Sequence, residues 1–288
     1  MKHPRASWLD PNTGDLLDRS VLIRDMAAKP VVLLGETHDI AEIHRWQLHV
    51  IAALHTLRTH IMVGFEMFPR RLQPVLDEWV NGELSTEAFI EKSEWYQVWG
   101  FPAEIYLPIF HFCRQNKVRM LALNCYRALV TRVGKEGWKS VPEEERDGLT
   151  SAAPATQGYV DYLTGLTARG GIPAMPAERF IRAQQTWDRA FACNIVAAMQ
   201  GAEKEKADAP LIVGVVGRGH MEYRHGMVHQ LSDLGVHDVG ILLPNAEEEI
   251  DLKKMHGISD ALYRIDMPEP RAARVNMPKN QANAEGRP

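Results

Sequence analysis

The sequence predicts an α/β fold: a Rossmann-like, mostly parallel sheet with an inserted helical subdomain. Three observations lead there. Short apolar runs rich in β-branched residues and bounded by Gly, such as VVLLG and LIVGVVG, have the composition of strands buried on both faces. These runs alternate with stretches whose apolar residues recur at helical spacing, the pattern of βαβ units. A long middle section with little β character breaks the alternation, as an insertion would.

Taken in order, Val31–Leu34 opens the first strand of the core, and Gly35 allows the turn that lifts the next side chains out of the sheet. In Ala41 to Arg58 the residues Ile43, Trp46, Val50, Ala53, Leu54 and Leu57 form one apolar stripe, so this is an amphipathic helix. IMVGFEMF is the second strand, ending at Glu66 and Met67; KVRMLALN is the third, closing at Asn124. Between them, over about 70–115, the periodicity is helical. From Tyr126 to about residue 200 it is again helical, interrupted at Gly134, Gly137, Pro154, the Gly170–Gly171 pair, Pro173 and Pro176, and its longest helix is AERFIRAQQTWDRAFACNIVAAM. The polar stretch AEKEKADAP leads into LIVGVV, a helix over about 223–234 and a last strand, DVGILLP. The core thus comprises about 20–68, 116–125 and 205–245, within a domain spanning 8–245. The tail over 268–288, with four prolines and few aliphatics, is expected to be disordered.

At 288 residues, 45% hydrophobic and 24% charged, the chain has the makeup of a globular protein large enough for a substantial core. A net charge of −4 without a Lys/Arg cluster argues against a nucleic-acid partner. Three isolated cysteines, Cys113, Cys125 and Cys193, provide neither a disulfide framework nor a zinc knuckle. The first twenty residues lack an apolar signal-peptide region and a lipobox-like cysteine, and no run is long enough to span a bilayer, so the chain as written is expected in the cytoplasm. No G-x-G-x-x-G, G-x-S-x-G or Walker A pattern occurs, which removes the commonest nucleotide-binding and hydrolase readings.

What remains is a repeated ending. VVLLGETH and VGVVGRGH each run from a strand into Gly-x-x-His, and the carboxyl ends of strands are where open α/β sheets bind ligands. Glu36 and His38 follow the first strand, Glu66 the second, and His220 the strand at 211–216. Two carboxylates and two imidazoles can hold a divalent metal, or, without one, act as a general acid–base set with burial-shifted pKa values. The plainer alternative is that Glu36 caps the next helix and His38 bonds a loop carbonyl. His44 and Gln47 lie one turn apart and can share a face looking back toward the first loop. Histidines 49, 55 and 60 are read as a solvated flank.

The aromatic group Trp95, Tyr96, Trp99 and Phe101 admits another ligand. Haem needs aromatic and Met walls, an axial His or Tyr, and cations for its propionates. Met67 is a candidate wall, Tyr223 or His225 a candidate axial ligand, and Arg218 and Arg224 candidate propionate partners. Ordinary core packing of the helical insert is the competing explanation for the tryptophans.

Together GETHDIAEIHRWQ, GFEMF, the Trp95–Trp99 pair, the Arg182-to-Asn194 helix and VGVVGRGHMEYRHG resemble the ChaN-like haem-binding uptake proteins, relatives of the Tiki proteases and erythromycin esterases. The resemblance implies a Rossmann-like sheet, haem binding, a role in iron acquisition, export as a lipoprotein, and a homodimer enclosing haem. For the Tiki branch it implies metal-dependent proteolysis through His38, His220, Glu36 and Glu66, with a metal such as zinc, manganese or cobalt. The chain departs from the family pattern at Asn124-Cys125-Tyr126-Arg127, where Asn-x-Pro-Arg is usual, at Ile43-His44, where a His-His pair is usual, and in having no export signal. Haem binding is the favoured expectation and a metal-dependent hydrolase the alternative.

Overall fold

The computed structural model describes residues 1–168, 176–204 and 208–267. The expected breaks at Gly170–Gly171 and Pro173, part of the connector before residue 211, and the tail over 268–288 lie outside these residues. Among the described residues eight strands form one mixed sheet: β1 (Trp8–Leu9), β2 (Leu16–Leu17), β3 (Val31–Glu36), β4 (Ile61–Pro69), β5 (Arg119–Asn124), β6 (Leu211–Gly217), β7 (Val239–Asn245) and β8 (Ala261–Arg264), in the order β2-β1-β8-β7-β3-β6-β4-β5. Strands β3 to β8 pair in parallel, while β1 runs antiparallel to both β8 and β2.

The helices are α1 (Arg19–Ala27), α2 (Ala41–Leu57), α3 (Gln73–Asn81), α4 (Thr86–Lys92), α5 (Trp95–Val98), α6 (Leu107–Gln115), α7 (Arg127–Glu136), α8 (Gln157–Ala168), α9 (Ala177–Lys204), α10 (Met227–Asp233) and α11 (Leu252–Met255). Asp18 starts α1 by accepting from the Ser20 and Val21 amides, a side-chain cap that satisfies donors the helix cannot. Helices on both faces of the sheet explain why every residue of β3 and β6 is buried and why both strands are apolar apart from the terminal Glu36 of β3. One core cluster joins Val32, Leu34, Val63 and Phe65 to α1, α2, α3 and α6; the other joins Leu33, Ile212 and Val216 to α9 and α10.

Strand order positions the site. β6 comes late in the chain but inserts between β3 and β4, with Glu36 opposite Gly217 and Phe65 opposite Val215. The second Gly-x-x-His therefore emerges between the strand that ends in Glu36 and the strand that carries Glu66. The expectation that DVGILLP is the final strand is corrected by β8 beyond it, and β1 and β2 extend the same edge. These three strands are only two to four residues long, too short for a period-2 pattern to register. The helix expected over about 223–234 begins only at Met227, because Tyr223 and Arg224 are left-handed, with φ of 56° and 58°.

Candidate functional site

At the end of β3 the Glu36 carboxylate is buried and fully engaged. Oε1 accepts from His38 Nδ1 (2.8 Å) and from the Tyr106 hydroxyl (2.8 Å), while Oε2 accepts from Gln47 Nε2 (3.2 Å). His44 Nδ1 stands 3.6 Å from the same Oε2. His44 also donates from Nε2 to the His38 carbonyl (3.0 Å) and meets Gln47 Oε1 with Nδ1 (2.9 Å). The shared face of His44 and Gln47 thus looks back at the first loop, as their spacing predicts. Burial alone would raise the Glu36 pKa, but the His38 bond, the charges of His44 and His38, and the Tyr106 hydroxyl hold it below the ordinary carboxylate value. Glu36 is an anchor for His38, oriented inward and away from solvent.

His38 is the group this anchor presents. With the proton on Nδ1 directed at a carboxylate, Nε2 is the nitrogen turned toward the cavity. Trp99 and Phe101 hold the ring from the side, with centroids at 4.6 and 5.4 Å. Burial depresses the His38 pKa, yet Glu36 and Glu66 outweigh it and leave it raised.

A second such unit stands across the cavity, and half of it is not evident from the sequence. His220 Nδ1 lies 2.7 Å from Asp188 Oδ1, and Tyr159 donates its hydroxyl to Asp188 Oδ2 at 2.6 Å. Asp188 sits fully buried on α9. Burial pulls His220 down, but Asp188 and then Glu66 push it up to about 8. Each histidine thus has a carboxylate on Nδ1 and a tyrosine on that carboxylate. Between them Glu66 accepts the Gly217 amide on Oε2 (2.5 Å) and places Oε1 3.7 Å from His220 Nε2. Gly217 is required for this closeness: a Cβ there would lie 2.9 Å from His38 Cε1 and 3.2 Å from Glu66 Oε2.

His38, Glu66 and His220 open onto a cavity of about 430 Å³ at the carboxyl ends of the strands. Its walls are Met67, Trp99, Phe101, Tyr126 and Trp187, and Arg71 and Arg127 supply cationic lining. The aromatic group divides: Trp99 and Phe101 face the cavity, Trp95 is buried core with Nε1 on the Phe101 carbonyl (2.6 Å), and Tyr96 is exposed. Asn124 donates to the Glu66 carbonyl (2.8 Å) and also lines the space. Burial pushes the Cys125 thiol up to about 12, so this wall residue is no nucleophile at neutral pH.

The structure thus gathers Glu36, His38, Glu66, Met67 and His220, and leaves four other sequence candidates outside the cavity lining. Past His220 the left-handed pair Tyr223–Arg224 turns the chain aside. Tyr223 donates to the Lys254 carbonyl (2.8 Å); Arg224 donates to the Val239 carbonyl (2.7 Å) and pairs with Asp260 (3.4 Å). Arg218 pairs with Glu222, which also accepts from Tyr162 (2.8 Å). His225, whose pKa burial and then His229 lower from the ordinary imidazole value, sits beside the rings of Tyr159, Tyr162 and Tyr223. Among the described residues no group of three or more His, Cys, Asp or Glu is placed as metal ligands would be. The inward turn of Glu36 is one reason, since His38 and Tyr106 hold one of its oxygens and Gln47 the other.

Comparison with known proteins adds three likenesses. A chloroplastic protein of Arabidopsis thaliana, RETICULATA-RELATED 5, is 23% identical over 175 residues; the match takes in 57% of this chain but only 22% of that protein's length. The solved structure of Campylobacter jejuni ChaN with cofacially bound haem superposes with a TM-score of 0.69 at 18% identity, over 89% of this chain and 95% of that one. Erythromycin esterase EreC is more distant, with a TM-score of 0.43 at 10% identity, over 82% of this chain and 76% of that one. Among the described residues no helix is long and apolar enough to cross a membrane. A family model for haem-binding uptake proteins matches residues 22–231, most of the chain, which therefore belongs to the ChaN family of the Tiki superfamily.

Proposed function

We propose that this protein binds haem in the cavity at the strand ends and serves in haem handling or iron acquisition. One observation carries the reading: His38 is locked by Glu36 through Nδ1 and turns Nε2 into a cavity walled by Trp99 and Phe101. A histidine whose other nitrogen is tied to a carboxylate is a well-oriented, basic iron ligand. The residues fit the group: aromatic and Met walls suit a porphyrin face and Arg127 suits a propionate, while Arg71 on the same rim is paired with Glu94 (2.7 and 2.5 Å). Bound haem would supply the iron centre; the chain supplies the ligand, the walls and the exclusion of water.

In this reading His38 would hold the iron, the role first considered for Tyr223 and His225. Tyr223 would have to give up its bond to the Lys254 carbonyl to ligate iron, so His225 on the neighbouring flank is the better rival. Titration with hemin tests the choice. The expected result is a saturable shift of the Soret band that His38→Ala weakens at least tenfold and His225→Ala leaves unchanged. Loss of the shift only in His225→Ala would move the site to the flank, and no saturable shift in the wild type would end the haem reading.

A second reading is supported by the paired His–carboxylate units on either side of Glu66. The deprotonated form of His38 would take a proton from an attacking water, while His220, with its pKa pushed up to about 8, would give one to the leaving group. Hydrolysis of simple esters or peptides, lost in both His38→Ala and His220→Ala, would support it. Activity appearing only with added zinc, manganese or cobalt would favour the metal-dependent form instead.

A further inference from the structure

The cavity at the strand ends uses only one face of α9. Gln184 and Trp187 line that cavity and Asp188 holds His220. Arg182, Gln185, Thr186 and Arg189 instead line a second recess of about 190 Å³. Val133 of α7, Trp138 just beyond it and the loop over 149–154 complete its lining. Among the described residues that line it two are arginines and none is acidic.

The two guanidiniums differ in how far they are used. Arg189 is 6% exposed, and each of its nitrogens has an acceptor. Nη1 donates to Asp233 (2.6 Å) and Gln230 (3.2 Å), while Nε and Nη2 donate to the Thr150 hydroxyl (2.9 and 2.7 Å). Arg182 caps the end of α7, donating from Nε (3.1 Å) and Nη2 (2.8 Å) to the Gly134 carbonyl. Its Nη1 is left with Glu178 at 3.6 Å, on a side chain 89% exposed, a pairing worth little in water. The Arg182 side chain is itself 36% exposed, so these donors are within a ligand's reach.

On the loop side Ser151 is exposed, and its hydroxyl holds the Ala152 carbonyl only at 3.5 Å. Pro154 is exposed and Trp138 half-buried, with buried Val133 and Leu149 as the apolar floor. Arg146 stands over the Trp138 ring, 5.2 Å from its centroid, and adds to the cationic surroundings.

We propose that this recess is a second ligand site, taking a small organic carboxylate with a flat apolar body. Its oxygens accept from Arg182 Nη1 and the Ser151 hydroxyl, and its body rests against Trp138. The charge-assisted pair with arginine selects an anion, and the apolar lining selects against a bare inorganic one. At less than half the volume of the strand-end cavity the recess is too small for a porphyrin, so the proposal does not rest on the haem reading.

The test is calorimetric titration of the full chain, without hemin, at pH 7. Benzoate should bind saturably. Benzamide, which has the ring without the charge, and inorganic phosphate, which has charge without the ring, should each bind at least about tenfold more weakly. Arg182→Gln should weaken benzoate about tenfold, and Trp138→Leu about threefold or more. Arg127→Ala, in the strand-end cavity, should leave benzoate affinity as in the wild type. If Arg182→Gln does not fold, because α7 has lost its cap, Trp138→Leu and the benzamide comparison decide. No hemin enters the titration, so its failure and the failure of the haem reading are distinguishable. No saturable benzoate binding, benzamide or phosphate as tight as benzoate, wild-type affinity in folded Arg182→Gln, or a loss in Arg127→Ala would overturn the proposal.

Discussion

Asp188 Oδ1 lies 2.7 Å from His220 Nδ1, and that single contact places a helix carboxylate behind a histidine 32 residues further along the chain. It mirrors the pairing of Glu36 with His38. The site is built twice, once from a strand end and its own loop, and once from a strand end and a distant helix.

Asp188→Asn removes the charge that raises His220. The His220 pKa should fall from about 8 by roughly one pH unit, as read from its ring proton shifts in an NMR titration. The His38 shift, set by Glu36 and Glu66, should hardly move.

The same groups shape stability against pH. His220 has a folded pKa of about 8 against 6.5 when unfolded, so its contribution is complete below pH 6.5 and lost as pH rises through 8. Its size is on the order of 2 kcal/mol. Glu36 is shifted the other way, downward from 4.5, so its contribution is present above pH 4.5 and disappears as pH falls through the lowered value. Urea denaturation from pH 3 to 9 should therefore show stability highest near pH 5–6.5 and declining on both sides.

Gly217→Ala would push a methyl against His38 Cε1 and Glu66 Oε2. A destabilisation of about 1–3 kcal/mol is expected, together with weakened hemin binding, because His38 and Glu66 must part to admit it. Denaturant midpoints and a hemin titration on one preparation check both effects.

Tyr106 donates to Glu36 Oε1 and also lies 3.0 Å from the His38 carbonyl. Tyr106→Phe leaves a buried carboxylate oxygen one donor short, at a cost of about 1–3 kcal/mol. The stability loss should grow as pH rises above the lowered Glu36 pKa, where the carboxylate is charged, and a series of melting curves taken downward from pH 7 into the acid range would show it.

Much of this was legible in the sequence, and for identifiable reasons. β3, β4 and β6 are long enough and apolar enough to declare themselves. The glycines near the ends of β3 and β6 marked where His38 and His220 leave the sheet, whereas Gly64 and Glu66 lie within β4, which runs on to Pro69. Asp188 was not legible, because a lone acidic residue in a helix is ordinarily solvated, and only packing against α8 and His220 buries it. Tyr106 was hidden in the same way among aromatic residues that mostly form core. Tyr223, Arg224 and His225 misled through proximity: two left-handed residues redirect the chain within five positions of His220. Arg218 lies closer still, but its guanidinium is held by Glu222. Backbone conformation at such turns depends on tertiary contacts, which a linear pattern does not encode.

The most direct test of the account is hemin affinity across pH 5.5–9 in the wild type and in His38→Ala. His38 would have to give up its proton to hold iron, and Glu36 and Glu66 keep its pKa raised, so wild-type affinity should climb with pH, up to about tenfold per unit, and then level off. In His38→Ala both the tight binding and its pH dependence should vanish. A His38→Ala protein that binds hemin as tightly as the wild type, with the same pH profile, would contradict the placement of haem in this cavity.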